Sequence, residues 1–304
     1  MTDKEIKVGF IQHKNQGSTA DNLDYIGKEI STMAKLNTHL IVLQELHNSA
    51  YFCQEENTDN FDLAEKIKGQ TFQYLSKFAK EFKLVIVGSI FEKRAEGIYH
   101  NTAIVIDNDG SLAGFYRKMH IPDDPGFQEK FYFTPGDHLS PAFKPVQTSI
   151  GSLGVLICWD QWYPEAARLM ALAGADILIY PTAIGWDLND SLEEQLRQLQ
   201  AWQTIQRGHA IANHLPVIAC NRMGFEAAPS TDNRPQQNGI KFWGNSFIAG
   251  PQGEILLEAN DEMPASLQCS INLESSARLR KIWPFFRDRR IDAYNDLTKR
   301  YIDQ

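Results

Sequence analysis

The chain has 304 residues, of which 43% are hydrophobic, and this length suits one large domain with a sizeable core. Its net charge of −8 argues against non-specific binding to nucleic acid or to an anionic membrane. No apolar run approaches the ~20 residues that a membrane span needs, and the first residues lack the apolar stretch of a secretory signal. We therefore expect a cytoplasmic protein without nucleic-acid or membrane partners.

Apolar strands and amphipathic helices alternate from the first residues onward. The predicted strands cover residues 6–12, 39–43, 84–91, 99–106, 111–118, 154–157, 176–180, 217–219, 246–250, 254–258 and 267–273. The predicted helices cover residues 21–35, 62–82, 164–173 and 192–213. Strands mixed with helices indicate a layered α/β body. Hairpin signals at 107–110 and 251–253 show that its sheets are not purely parallel.

Three predicted strands end in residues that carry chemistry. Glu45 and Lys118 each close an apolar strand, and Cys158 follows the apolar run 153–157 and precedes a predicted helix. A turn at that place exposes a thiol, and the N–H groups after it can lower its pKa and bind an oxyanion. Taken singly, each has an ordinary interpretation, as a buried thiol, a helix cap or a surface charge. Together and in this order they indicate a Glu–Lys–Cys active site.

Long phrases around these residues resemble the nitrilase (carbon–nitrogen hydrolase) superfamily, and most closely its N-carbamoylputrescine amidohydrolase branch. The phrases that carry the resemblance are Leu43-Gln-Glu-Leu46, Tyr116-Arg-Lys-Met-His-Ile-Pro122, Glu129-Lys-Phe-Tyr-Phe-Thr-Pro-Gly136, Ile157-Cys-Trp-Asp-Gln-Trp-Tyr-Pro-Glu165 and Phe242-Trp-Gly-Asn-Ser-Phe247. The resemblance implies a four-layer α-β-β-α sandwich that forms a single domain over residues 1–304. It also implies a homo-oligomer built from dimers.

The same resemblance implies a role for each catalytic residue. Glu45 would be the general base that takes the proton of Cys158 and later protonates the leaving nitrogen. Lys118 and the backbone N–H of Trp159 would hold the oxyanion of the tetrahedral intermediate. Glu129 would orient Lys118 and the substrate, although a loop carboxylate paired with Lys130 is the alternative. The reaction implied is hydrolysis of a carbon–nitrogen bond through a carbamoyl-cysteine when the substrate is a ureido compound.

The residues near the nucleophile favour a substrate with a cationic tail. Arginine is the preferred partner of a carboxylate, and no arginine lies among the residues that follow Cys158. Asp187 is our first candidate for binding an ammonium group, with Asp123, Asp124 and Asp160 as further candidates. Asp160 is equally suited to cap the helix that starts near Pro164. Aromatic walls are expected from Tyr51, Trp159 and Trp186.

These features predict hydrolysis of N-carbamoylputrescine to putrescine, carbon dioxide and ammonia, a step of polyamine biosynthesis. The alternative within the superfamily is a β-ureidopropionase-like or ω-amidase-like enzyme for an anionic substrate, with Arg197 or Arg222 in the pocket. A catalytically silent scaffold is a third possibility. No metal or cofactor is expected, because histidines and cysteines show no ligand spacing. The basic, aromatic segment 275–304 is expected to pack on a neighbouring subunit rather than to bind nucleic acid.

Overall fold

The computed structural model describes residues 5–137, 142–228 and 239–303. In chain order the strands are β1 (Glu5–Gln12), β2 (Leu40–Leu43), β3 (Val85–Ala95), β4 (Ile98–Ile106), β5 (Leu112–Arg117), β6 (Val146–Thr148), β7 (Gly151–Val155), β8 (Ile177–Thr182), β9 (Gly185–Asp187), β10 (Val217–Asn221), β11 (Met223–Ala227), β12 (Gly239–Trp243), β13 (Phe247–Ala249), β14 (Ile255–Glu258) and β15 (Ala265–Asn272). The α-helices are α1 (Thr19–Ala34), α2 (Gln70–Phe82), α3 (Glu129–Tyr132), α4 (Pro164–Leu172), α5 (Leu192–Asn213) and α6 (Leu273–Ile282). Short 3-10 helices cover Phe52–Gln54, Thr58–Leu63, Cys158–Trp162, Ile291–Ala293 and Asn295–Thr298.

Within the described residues, the strands form two mixed sheets of six strands and a small antiparallel sheet. The first large sheet has the order β15-β1-β2-β3-β4-β5, and the second has the order β14-β13-β10-β8-β7-β6. Strands β1, β2 and β3 are parallel to one another, as are β7, β8 and β10. The small sheet has the order β11-β12-β9. The turn signals correctly predicted the antiparallel hairpins β4–β5 and β13–β14. The antiparallel pairs β1–β15 and β10–β13 join strands that are distant in sequence.

Alternate residues of the central strands enter two different cores. On β2, Leu40 and Val42 join the core between the two large sheets, while Ile41 and Leu43 pack toward α1 and α2. Because both faces of such a strand are covered, its sequence is a continuous apolar run rather than an alternating one. The helices α4 and α5 cover the outer face of the second sheet. This gives the four-layer α-β-β-α sandwich that the sequence predicted.

The predicted helix over 62–82 is wrong in its first part. Residues 58–63 form a 3-10 helix, and α2 starts only at Gln70. The carboxylate of Glu65 explains the difference, because it accepts the backbone N–H of Thr71 at 2.9 Å in the first turn of α2. The backbone of Glu65 pairs with Glu92 in an isolated bridge. A segment that caps the next helix and bridges to a strand cannot itself be helical.

The segment after β15 contains α6 and then two short 3-10 helices, where the sequence predicted only an arm. Its first part packs on this same chain: Phe285 stacks on His214 with ring centroids 4.6 Å apart, and Arg168 lies over the ring of Phe286. Farther along, Ile291 and Tyr301 are 70% and 75% exposed. None of the described helices is long and apolar enough to cross a bilayer.

Candidate active site

The two large sheets meet at the point where Glu45 leaves β2. Its backbone N–H donates to the carbonyl of Thr182, at the end of β8 in the opposite sheet, at 3.3 Å. The next residue, Leu46, has a positive φ of 49°, so the chain turns sharply there. The buried guanidinium of Arg222 holds this turn by donating to the carbonyl oxygens of Glu45 at 3.2 Å and Leu46 at 2.7 Å. The backbone at Glu45 is therefore held by contacts from the second sheet.

Lys118 lies between two buried carboxylates. Its Nζ donates to Oε1 of Glu45 at 2.8 Å and to Oε2 of Glu129 at 2.6 Å, and all three side chains are at most 1% exposed. Asn101 on β4 makes one hydrogen bond to Glu45 and one to Lys118. Its Nδ2 donates to Oε1 of Glu45 at 2.6 Å, and its carbonyl accepts the backbone N–H of Lys118 at 2.9 Å. Tyr51 donates its hydroxyl to Oε1 of Glu129 at 2.8 Å.

This arrangement leaves two groups available for chemistry. Oε2 of Glu45 is buried and has no hydrogen-bond partner among the described residues, so it is the oxygen that can accept a proton. An ammonium group has three N–H donors, and the two carboxylates use two of those on Lys118. Its third donor is therefore available to a developing negative charge. The cluster thus presents one free acceptor and one free charged donor.

Cys158 lies on a turn that a buried carboxylate holds in place. The residue follows β7 and has a φ of 42°, in the left-handed region where side chains other than glycine are strained. The carboxylate of Asp160 accepts the backbone N–H of Ile157 at 2.9 Å through Oδ2, which also accepts the Tyr116 hydroxyl at 2.9 Å. Its Oδ1 contacts the backbone N–H of His120 at 3.1 Å and the His120 ring at 2.6 Å. Asp160 is thus fully used inside the protein. It neither faces a substrate nor caps α4, contrary to both predictions.

The buried cluster shifts the pKa values of its members in different directions. Burial raises the pKa of the Cys158 thiol well above its usual value, and the Glu45 charge adds to this while Lys118 opposes it. Burial lowers the pKa of Lys118, but the Glu129 and Glu45 carboxylates outweigh that effect and hold its pKa well above the usual value. Burial also raises the pKa of Glu129 to about 7, against the opposing charge of Lys118. The resting site therefore holds a protonated thiol and a charged lysine.

A cavity of about 360 Å³ opens onto this cluster. Cys158 and Glu129 lie on its wall, together with Asp124. The aromatic part of its lining comes from Phe127, Trp159, Trp162 and Trp243. Of the described residues that line it, none is a lysine or an arginine. The cavity thus combines a thiol with aromatic walls and negative charge.

The structure brings together Glu45, Lys118, Glu129, Cys158 and Trp159 but places three predicted substrate contacts elsewhere. Tyr51 is 1% exposed and supports Glu129 instead of forming a wall. Trp186 and Asp187 line a second cavity of about 380 Å³. Both residues belong to β9, whose pairing with β12 was not predicted.

The two arginines proposed for an anionic substrate also lie outside the cavity. Arg197 is an exposed residue of α5 that pairs with Glu193 at 2.7 Å. Arg222 is fully buried, and its Nη1 pairs with Glu226 at 2.6 Å. Lys130 pairs with Asp123 at 3.8 Å and not with Glu129, which removes the alternative interpretation of Glu129. Both arginine charges are thus already used within the chain.

Sequence reasoning missed Asn101, which positions Glu45, and the aromatic residues Trp162 and Trp243. It named Arg222 only as a partner for an anionic substrate and missed that Arg222 holds the turn at Glu45. A signal existed for both polar residues, since Asn101 lies within one predicted strand and Arg222 closely follows another. No group of three or more histidine, cysteine, aspartate or glutamate side chains is arranged to hold a metal ion within the described part of the chain.

Comparison with known proteins agrees with this geometry. Residues 7–281 match the profile of the carbon-nitrogen hydrolase family. A crystal structure of a carbon-nitrogen hydrolase from Helicobacter pylori shares 53% sequence identity, with a TM-score of 0.93 over 98% of this chain and 100% of that one. The N-carbamoylputrescine amidase of Arabidopsis thaliana is 42% identical over 97% of this chain and 95% of its own length. A protein of Francisella tularensis named citrullinase is 38% identical over 97% of this chain and 99% of its own length. The chain therefore belongs to the carbon–nitrogen hydrolase family and is an enzyme of that class.

Proposed function

We propose that the protein hydrolyses N-carbamoylputrescine to putrescine, carbon dioxide and ammonia. The observation that carries this proposal is the composition of the cavity: its described lining offers aromatic rings and carboxylates but no arginine or lysine. A cationic alkyl tail suits such walls through charge attraction and cation–π contact. A carboxylate substrate would enter without a counter-charge. The relatives named N-carbamoylputrescine amidase support the same choice.

The proposed reaction begins with a proton transfer from the Cys158 thiol to Oε2 of Glu45, the unpartnered oxygen. The sulfur attacks the ureido carbon, and the negative oxygen is held by Lys118 and by the backbone N–H of Trp159. Each such donor is typically worth ~3 kcal/mol in the transition state. Glu45 gives its proton to the leaving amine of putrescine, and the carbon–nitrogen bond breaks. A carbamoyl group remains on the sulfur.

Water completes the cycle. Glu45 takes a proton from the water that attacks the carbamoyl carbon, and it returns that proton to the departing sulfur. The released carbamic acid breaks down to carbon dioxide and ammonia. Lys118 remains charged throughout, since two carboxylates hold its pKa high. Glu129 keeps Lys118 in place through the 2.6 Å contact.

Ammonia release tests the proposal directly. Purified protein is supplied with N-carbamoylputrescine, N-carbamoyl-β-alanine or citrulline at equal concentrations, and C158A serves as the inactive control. We expect strong preference for N-carbamoylputrescine and a loss of roughly a thousandfold or more in C158A. Preference for either substrate that carries a carboxylate would overturn the proposal. It would instead favour a β-ureidopropionase-like, ω-amidase-like or citrulline-hydrolysing enzyme.

The same proposal includes assembly of the enzyme into a homo-oligomer through the C-terminal segment. Three large hydrophobic side chains of this segment are exposed, Ile291 to 70%, Leu297 to 65% and Tyr301 to 75%. Their exposure supports a single domain whose C-terminal segment packs on a neighbouring subunit. Light scattering of the full chain and of a chain ending after residue 290 would test it. We expect the shorter chain to form an oligomer with fewer subunits than the full chain. An unchanged number of subunits would contradict this part of the proposal.

A further inference from the structure

Two cavities lie side by side near the nucleophile, and each has one aspartate. The cavity that contains Cys158 is lined by Asp124, and the neighbouring cavity is lined by Asp187. Pro125 and Phe127 line both cavities, so the turn that bears them is the wall between the two. A substrate bound at Cys158 therefore meets Asp124 before it meets Asp187.

The backbone fixes the position of Asp124. Its carbonyl accepts the N–H of Phe127 at 2.8 Å, and Gly126 has a φ of 80°. A hydrogen bond from the first to the fourth residue, with proline second and glycine of positive φ third, is the pattern of a type II turn. Proline and glycine at these places limit the alternatives open to the backbone. The backbone at Asp124 is thus held by a tight turn.

The Asp124 carboxylate is available to a ligand. It is exposed, and its side chain has no hydrogen bond or ion pair with any other residue in the described ranges. The other carboxylate on the wall, Glu129, is already used, because Tyr51 and Lys118 occupy its two oxygens. Asp187 is partly engaged, as one of its two oxygens, Oδ1, accepts two N–H groups of Asn189 at 2.8 Å and 2.9 Å.

We propose that Asp124 binds the distal ammonium group of the substrate and so determines the preference for a cationic tail. Phe127 is held beside it by the same turn, and the tryptophans of the wall cover the alkyl chain. Because Asp124 is assigned to the tail of a ureido-amine, this inference rests on the proposed function. This assigns recognition of the cationic tail to the loop between β5 and α3, whereas the sequence analysis placed it first on β9.

The test compares D124N and D187N with wild-type enzyme on N-carbamoylputrescine and on N-butylurea, a neutral ureido compound of similar length. D123N is the matched control, since Asp123 is the exposed neighbour and does not line the cavity. In D124N we expect the ratio of kcat/KM for the cationic over the neutral compound to fall about five- to tenfold, mostly through KM. D187N and D123N should keep the wild-type ratio.

The outcomes separate the two proposals. If wild-type enzyme prefers N-carbamoylputrescine but D124N keeps the full ratio, or if D187N shows the loss, the assignment of Asp124 is wrong and the function stands. If wild-type enzyme does not favour the cationic compound over N-butylurea and N-carbamoyl-β-alanine, the proposed function fails first. An equal loss on both compounds in D124N would indicate a damaged loop, which also contradicts the assignment.

Discussion

Replacing Asp160 by asparagine tests whether a buried carboxylate holds the turn that bears Cys158. Asp160 is fully buried and accepts from two backbone N–H groups, those of Ile157 and His120, as well as from the Tyr116 hydroxyl and the His120 ring. An asparagine has one acceptor oxygen and one amide group that only donates. Whichever way it is oriented, one of the two backbone N–H groups faces a donor instead of an acceptor.

The expected magnitude follows from these contacts. A buried donor without an acceptor costs about 1–3 kcal/mol of stability. The remaining hydrogen bonds also become weaker, because asparagine is uncharged whereas the Asp160 carboxylate is charged. We therefore expect D160N to lower the free energy of unfolding by about 2–4 kcal/mol. Because Ile157 precedes Cys158, whose φ of 42° is strained, a looser turn also misplaces the thiol. Misplacement of this kind is expected to lower kcat by roughly tenfold or more.

Urea unfolding followed by tryptophan fluorescence, at one fixed protein concentration, measures the stability difference, and ammonia release measures kcat. D123N is the control, because Asp123 is exposed and makes one ion pair of 3.8 Å. It should stay within about 0.5 kcal/mol of wild-type protein. If D160N matched the control in both stability and kcat, the Asp160 contacts would not hold the turn.

Three further predictions concern the buried groups. Because burial raises the pKa of Glu129 to about 7, we expect kcat/KM of the wild-type enzyme to rise with pH through about 7 and this rise to be absent in E129Q; a rise that persists in E129Q would exclude Glu129 as its source. In N101L, kcat should fall roughly tenfold because Glu45 loses the 2.6 Å contact that orients it, whereas an unchanged kcat would leave that contact without a role. Burial lowers the pKa of His47 to about 3, so its protonation favours the unfolded chain and stability falls as pH drops below about 6.5. Between pH 7 and pH 5 this amounts to about 2 kcal/mol, and the loss in H47Q, measured by urea unfolding at both pH values, should be smaller by that amount.

The central part of the fold was predictable because its strands are covered on both faces. Continuous apolar runs such as that of β2 give a clear signal, and α5 matched its predicted bounds of 192–213. The small sheet was missed because β9 has three residues and β11 contains Gly224 and Glu226. Neither strand shows the periodic pattern of a buried element, so only their pairing through β12 defines them.

The candidate site was likewise predictable only in part. Glu45, Lys118 and Cys158 leave the ends of predicted strands, so their meeting could be expected from strand order and from the phrases around them. The substrate contacts could not, since they depend on how a turn and a short strand are oriented. The sequence made both Asp124 and Asp187 candidates for binding an ammonium group. In the structure Asp124 lines the cavity that contains Cys158, whereas Asp187 lies on β9, which pairs with β12.

The charges of the cluster imply that Asp124 is one of two sources of selectivity. Lys118 supplies one positive charge between Glu45 and Glu129, and burial, to which the Glu45 charge adds, raises the pKa of Glu129 to about 7 against the opposing charge of Lys118. A cationic tail is attracted to these carboxylates. A carboxylate would add to it without a lysine or arginine on the described wall, and burying an unpaired charge costs several kcal/mol. D124N should therefore lose its preference for N-carbamoylputrescine over N-butylurea but still reject N-carbamoyl-β-alanine, because the buried cluster that repels the anion is unchanged.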